Sequence, residues 1–330
     1  MTGYIVGLYA TSPTLMSWDE VIEQKYLDAI NDSHLPIRGL ELPFWGQGLH
    51  PFNEDFLLRN IQSDWENVLT CIPGTMKALS ADKAFGLSST NESSRQAAIN
   101  FYKRALDAVR RLNSHQAKQS VIAVHISSAP HPEYGSMGMF KESMEELSAW
   151  NWEGAKLVIE HCDSGVGSYP YIKGFHPIEA EIEVLLSIVP VRTELGLVIN
   201  WARSVIEHRS PQGAILHLGK ARESGLLRGL IFSGTSDKAS EYGAWGDMHM
   251  PVAKEEGIDH YHPDSLMTKS NMKASLLAAE YQTLDYLGIK VLSMPIESSK
   301  LSDRVGINQD TLAILDRAIV ELQQSYHNSK

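Results

Sequence analysis

The chain has 330 residues, 43% of them apolar, with 29 basic against 40 acidic side chains and a net charge of −11. That length supports a large core, and no run of about 18 uninterrupted apolar residues occurs that would span a bilayer. The acidic balance, with no Lys/Arg cluster longer than Arg110-Arg111, argues against a phosphate-backbone partner, so neither nucleic acid nor membrane is expected. Two cysteines, Cys71 and Cys162, cannot build a disulfide framework, which predicts free thiols in a reducing cytoplasm.

Met1 to Ala10 carries no basic n-region, so no secretory leader is expected. The segment Tyr4–Ala10 is the first of several short Val/Ile/Leu-rich runs that end in polar residues. Ser17-Trp18-Asp19-Glu20 has the S-x-x-E form of a capping box and predicts a helix to about Asn31. The second run, Gly39–Leu42, contains Glu41 and leads into Pro43-Phe44-Trp45. A carboxylate beside aromatic rings suits a carbohydrate, whose hydroxyls need acceptors and whose C–H faces stack on π surfaces, although Glu41 could equally serve a barrel arginine. Asn67–Ile72 is the third run, and Ile99, Tyr102, Leu106, Val109 and Leu112 then repeat at helical spacing.

The fourth run, Val121–Ser127, embeds His125 among apolar neighbours, a place for either a core histidine or a proton-transfer group. The fifth, Lys156–Glu160, puts a carboxylate where the buried run ends, followed by His161, Cys162 and Asp163. Strand alternation forbids Glu160 and His161 from facing the same way, and it denies Cys162 an imidazole partner next door. A helix is predicted from Ile178, Ile182, Leu185 and Val189 before Pro190. The sixth run, Gly196–Asn200, continues into Trp201-Ala202-Arg203, where an amide and a guanidinium read as a grip on an oxyanion or acid group.

After the seventh run, Leu227–Ser233, the segment from Gly234 to Lys269 is too long for a plain connection. Ser233-Gly234-Thr235-Ser236, where the run meets this segment, reads as either a phosphate cradle or a turn, and the segment also holds Trp245, Asp247, His249, His260 and His262. It is read as a lid that supplies Trp245 or His249 to the pocket, and its His and Asp residues match no zinc signature. Leu277, Tyr281, Leu284 and Leu287 before Gly288 predict the next helix, Lys290–Pro295 the eighth run, and Leu312, Leu315, Ile319 and Leu322 the last helix.

Eight buried-type runs alternating with helical segments predict one (β/α)8 TIM barrel domain over residues 1–330, with its site at the carboxyl ends of the strands. There is no G-x-G-x-x-G, Walker loop, H-E-x-x-H or G-x-S-x-G, so no nucleotide cofactor is expected.

Gly-Leu-Glu41-Leu, His125, Leu-Val-Ile-Glu160 and Asn200-x-x-Arg203 resemble the xylose isomerase-like barrels, which include sugar isomerases, sugar epimerases and endonuclease IV-type enzymes. The resemblance implies a divalent metal (Mn, Mg or Zn) and a small carbohydrate-like substrate. In the epimerase members a Glu on strand 5, an Asp and a His three residues later on strand 6, a His on strand 7 and a Glu on strand 8 surround that metal. Glu160 matches. Asn200-x-x-Arg203, Phe232-Ser233 and Val291–Pro295 depart from the pattern and imply an altered metal site, with Glu160, His249 and Asp247 as its candidate ligands.

The expected activity is isomerisation or epimerisation of a sugar or sugar acid by proton transfer next to a carbonyl. Glu160, His125 and Asn200 are the catalytic candidates, and Glu41, Trp45, Asp163, Arg203, Trp245 and His249 the substrate-binding ones. The alternatives are a lyase or hydrolase on the same scaffold, or a catalytically silent carbohydrate-binding or regulatory barrel. Assembly into a homo-oligomer stays open.

Overall fold

The computed structural model describes residues 3–165, 167–189 and 192–328. Eight strands, β1 (Tyr4–Val6), β2 (Ile37–Pro43), β3 (Asn67–Thr70), β4 (Val121–Ile126), β5 (Lys156–His161), β6 (Leu195–Asn200), β7 (Leu227–Phe232) and β8 (Tyr286–Ile289), follow one another around a closed barrel. Among the described residues, these strands pair with their neighbours in parallel. The fold is therefore a (β/α)8 barrel with helices between strands. The helices are α1 (Glu20–Asp32), α2 (Glu54–Asn60), α3 (Ile72–Ala81), α4 (Glu92–Gln116), α5 (Met137–Ala149), α6 (Ile178–Ser187), α7 (Trp201–His208), α8 (Gln212–Glu223), α9 (Lys269–Ala278) and α10 (Leu301–Asn328). Among the described residues, no helix is long and apolar enough to cross a membrane.

Two compact units divide the chain: residues 38–199 with 223–228, and the described parts of 1–37, 200–222 and 229–330. In the first, β3 pairs with β2 and β4, its register with β4 shifting between Asn67 and Val68, and β4 pairs with β5. Close approach at the start of β2 requires glycine, because a Cβ on Gly39 would lie 1.8 Å from the Glu66 carbonyl oxygen. α4 buries the predicted Ile99, Tyr102, Leu106, Val109 and Leu112 stripe. In the second unit β8 pairs with both β1 and β7, and Gly288 permits this since its Cβ would meet the Ile5 carbonyl at 2.4 Å. α10 carries Leu312, Leu315 and Leu322 inward.

Four expectations change. The eighth strand is Tyr286–Ile289, so the run Lys290–Pro295 lies beyond its carboxyl end. The helix expected through Leu287 is α9, which stops at Ala278, with Glu280 at φ 47° and a single 3₁₀ turn over Tyr281–Thr283. A four-residue strand buried on both faces has no period of its own, and apolar spacing carried over from Leu277 imitated a helix. α1 is capped by Asp19, whose Oδ1 accepts from the Val21 and Ile22 amides at 2.9 and 3.0 Å, rather than by Ser17, because an ionised carboxylate caps at least as well and sits directly before the helix. α6 ends at Ser187, leaving Val189 87% exposed. Pro190 lies outside the described residues.

Candidate active site

Register decides which side chains meet. Pro43 is opposite Thr70, Thr70 opposite His125, and His125 opposite Val158. Partners on adjacent strands share a face and residues two apart return to it, so Glu41, Thr70, His125 and Glu160 all project to one side. They converge there. His125 Nδ1 is 3.4 Å from Glu160 Oε2 and 4.0 Å from Glu41 Oε1, and the Thr70 hydroxyl donates to Glu160 Oε2 at 3.1 Å. Glu41 is 1% exposed, and His125 and Glu160 are fully enclosed.

Two carboxyl groups and an imidazole sealed from water carry a large desolvation cost unless a proton or a cation offsets it. One ligand atom from each of Glu41, His125 and Glu160 lies within 4.8 Å of the others. Two oxygens and one imidazole nitrogen form a donor set suited to a divalent ion such as zinc or manganese. The residues present therefore fit a divalent ion such as the resemblance implies; of the candidate ligands read from the sequence, Glu160 belongs to this group, while His249 and Asp247 lie together in the second unit. Cys71 stands beside the cluster as a bystander: burial, and then the Glu160 charge, push its thiol well up, so it stays protonated. Cys162 donates to the Glu160 carbonyl oxygen at 3.4 Å.

The other face of β5 is separate. His161 Nδ1 lies 2.8 Å from Glu181 Oε2, and the Ser128 hydroxyl donates to Glu181 Oε1 at 2.6 Å, all buried. Asp163 organises the following loop, its Oδ2 accepting from the Ile172 and Lys173 amides at 2.5 and 3.0 Å. Trp45 is half-buried just past β2.

In the second unit, Asn200 ends β6 and occupies the position before α7, yet its side chain makes no capping bond. Its amide is thereby not spent on the helix. Arg203 is 2% exposed and its Nε meets Asp247 Oδ2 at 3.2 Å. His249 Nδ1 is 2.9 Å from the Ser233 hydroxyl and 3.7 Å from Asp247 Oδ1. Trp245 lies under the Arg209 guanidinium, 5.1 Å from the ring centroid. Both Trp245 and His249 adopt positive φ, 55° and 53°, a conformation that needs support from its surroundings.

The long loop is tied down: Gly234 bridges Met250, the Leu292 amide donates to the His249 carbonyl at 2.7 Å, and the Tyr242 hydroxyl donates to the Leu292 carbonyl. His260 turns away to Asp310 on α10, at 2.9 Å. The Thr235 hydroxyl donates to the Gly246 carbonyl and the Ser236 hydroxyl accepts from the Lys238 amide, so both serve the loop itself.

Two residues were missed by reading the sequence. Thr70 signals itself only through its register with His125. Lys290, read as the start of the eighth strand, is the first residue past its carboxyl end; its amide bonds the Phe232 carbonyl at 2.9 Å and it is 1% exposed, with Nζ 6.0 Å from the Tyr9 ring. A sealed lysine at the end of a barrel strand is a functional candidate.

A family model described as a domain of unknown function (DUF4862) matches residues 5–307. The uncharacterized protein STM3670 of Salmonella typhimurium is 33% identical over 321 residues, covering 96% of this chain and 98% of that one. Among solved structures, the IolI protein with a bound zinc atom aligns over 96% of this chain and 99% of its own at a TM-score of 0.56 and 11% identity. D-psicose 3-epimerase, crystallised in the presence of D-fructose, aligns over 96% and 99% at 0.57 and 12% identity. A sugar phosphate isomerase/epimerase from Parabacteroides distasonis aligns over 95% and 94% at 0.56 and 9% identity. At such identities the likeness is one of fold, a closed parallel barrel with helices between strands.

Proposed function

The chain belongs to the DUF4862 family, and we propose that it is an isomerase or epimerase that moves a proton at the carbon next to a carbonyl in a small sugar or sugar acid. The observation that carries this reading is the sealed cluster of Glu41, His125 and Glu160. Sugar isomerases and epimerases among the fold neighbours support it.

Glu160 acts as the base. The Thr70 hydroxyl fixes Oε2 and so aims the carboxyl group. His125, 3.4 Å away, takes up and returns the proton, since a neutral imidazole both accepts and donates near neutral pH. Glu41 balances the imidazolium while the proton rests there. When a divalent ion is bound, Glu41, His125 and Glu160 would hold it in place of the proton on His125, and it would polarise the substrate carbonyl as a Lewis acid. In barrels of this class the strand ends face the substrate, which assigns Asn200 and Lys290 to the developing oxyanion and Arg203 with His249, in the loop read as a lid, to the polar groups of the sugar.

The test is exchange with solvent. Ketohexoses, aldohexoses and hexuronic acids are incubated in D2O with metal-supplemented protein and followed by NMR. A reacting sugar should gain deuterium at the carbon beside the carbonyl, and Glu160→Gln should slow this at least about a hundredfold with the fold intact. Binding of a sugar without exchange would instead favour the silent carbohydrate-binding reading, and cleavage products would favour a lyase or hydrolase.

A further inference from the structure

The connection from β5 to α6 carries a group of exposed side chains that the proposed reaction does not use. Tyr169, Tyr171 and Ile172 are 53%, 49% and 49% exposed and share one short stretch of chain. Apolar side chains scattered singly over a surface need no explanation. Three together, on a connection that leaves a strand's carboxyl end, lie where barrels of this kind keep their ligand sites.

These side chains are held in place. The Tyr171 ring packs against His131, which follows β4, with centroids 5.0 Å apart and planes at 36°. Beside it runs Gly174 at φ 68°, where a Cβ would stand 2.4 Å from Tyr171 Cδ2, so glycine is what lets the chain turn so close to the ring. The base of the loop is stitched together. The Ile172 and Lys173 amides donate to Asp163 Oδ2 at 2.5 and 3.0 Å, the Phe175 amide to the Asp163 carbonyl at 3.0 Å, and the Gly165 amide to the Phe175 carbonyl at 2.8 Å. Fixing a ring that stays half in water costs entropy without burying its apolar face, and a bound partner offsets that cost.

Size and place identify the partner. With roughly 150–250 Å² to bury on each aromatic side chain, the three residues leave about 300 Å² open, whereas a stable protein interface takes about 800 Å² from each side. The patch suits one ring-sized ligand better than a second copy of the chain. It is also continuous with the candidate site. Asp163 stands three residues past Glu160, at most about 10 Å of extended chain, which is about the length of two linked hexose rings. Asp163 then pins the Ile172 backbone beside it. Tyrosine, with an apolar face and a polar tip, matches a sugar ring that presents a C–H face bordered by hydroxyls.

We propose that Tyr171, flanked by Tyr169 and Ile172, is a stacking platform for a second sugar ring, so that the substrate is a disaccharide or similar glycoside and not a free monosaccharide. This rests on the reading of Glu160 as the group that meets the reacting ring. That ring enters the barrel, and the ring linked to it lies on Tyr171.

The test reads binding and not turnover. Calorimetric titration of the metal-supplemented full chain compares glucose and fructose with cellobiose, maltose, maltulose and lactulose. At least one disaccharide should bind about tenfold tighter than the monosaccharide at its reducing end. Tyr171→Ala should lose that gain and leave the monosaccharide affinity unchanged, while Tyr171→Phe, which keeps the ring, should retain it. Because Tyr171 is half-exposed on a loop, both variants should keep the wild-type circular dichroism. Equal affinities for disaccharides and monosaccharides, or a gain that survives Tyr171→Ala, would overturn the platform and leave the deuterium-exchange reaction standing. Tyr171-dependent disaccharide binding with no exchange in any sugar would instead support the platform and remove the reaction. Sedimentation should give the same mass for wild type and Tyr171→Ala; a dimer that the substitution dissociates would make this face a contact between copies and overturn the proposal.

Discussion

The response of the Glu41, His125 and Glu160 cluster to manganese, with and without Glu160, tests the site most directly. With its carboxylates ionised, the stripped cluster holds two negative charges whose ligand atoms are within 4.8 Å. At an effective dielectric constant near 20, that separation corresponds to a repulsion on the order of 3 kcal/mol. Glu160→Gln removes one of the charges, so in chelator the variant should melt at or above the wild-type temperature. The order then reverses. Manganese at about a hundred times its dissociation constant stabilises the wild type by roughly 2.7 kcal/mol. For 330 residues the unfolding entropy is about 0.7 kcal/mol/K, so the wild-type Tm should rise by about 4 °C. Glu160→Gln should show less than about 1 °C. Differential scanning calorimetry in chelator and in manganese reads all four numbers. If manganese and zinc leave the wild-type transition in place, or if both proteins rise together, the cluster is not a metal site.

Three further outcomes follow from the structure. Burial, with the His131 charge adding to it, holds the His176 imidazole down at about 4, and burial holds His50 at about 4, against 6.5 for the unfolded chain. Both are folded-state depressions of a base, so the folded protein binds fewer protons between those values; stability is full above about 6.5 and should fall as pH drops toward 4, with a shallower fall in His176→Gln measured by urea midpoints. Asn200→Ala should cut turnover about ten- to a hundredfold without the roughly 1 kcal/mol loss usual for a removed helix cap, because no capping bond is there to lose; a drop in Tm matching a lost cap would contradict this. Gly288→Ala should destabilise the protein by more than about 2 kcal/mol, or prevent folding, since its Cβ meets the Ile5 carbonyl at 2.4 Å between β1 and β7; a wild-type denaturation curve would show that the strands can part.

The barrel is legible because parallel strands buried on both faces read as short apolar runs, and seven of the eight lie where the runs are. The eighth was displaced because Val291-Leu292 extend the apolar character past Ile289, while Gly288 and the short span of β8 hide the strand itself. That displacement also concealed Lys290, whose meaning depends on which end of the strand it occupies. Glu41, His125 and Glu160 were each visible as polar residues in apolar runs. Their meeting at one rim is what the barrel rule predicts, whereas the contact distances among them depend on register across β2, β3, β4 and β5, which no single segment encodes. The paired imidazoles of His208 and His217 span a turn between two helices with weak periodicity, and nothing in the local pattern marks their approach except, in retrospect, Gly213. The Asp19 cap shows the smaller case: two adjacent candidates compete, and charge and proximity select between them.

β5 carries polar groups on both sides, Glu160 toward Thr70 and His125, His161 toward Glu181. That double commitment makes the strand intolerant of insertion or deletion. Sliding it by a single residue would send the imidazole into the barrel and the carboxylate among the helices, stranding the partners of both. Lineages descended from this sequence should therefore accumulate length changes in the stretch between Asp163 and α6 while the count from Lys156 to His161 stays constant. The fixed spacing becomes a ruler for aligning remote relatives whose other landmarks have drifted.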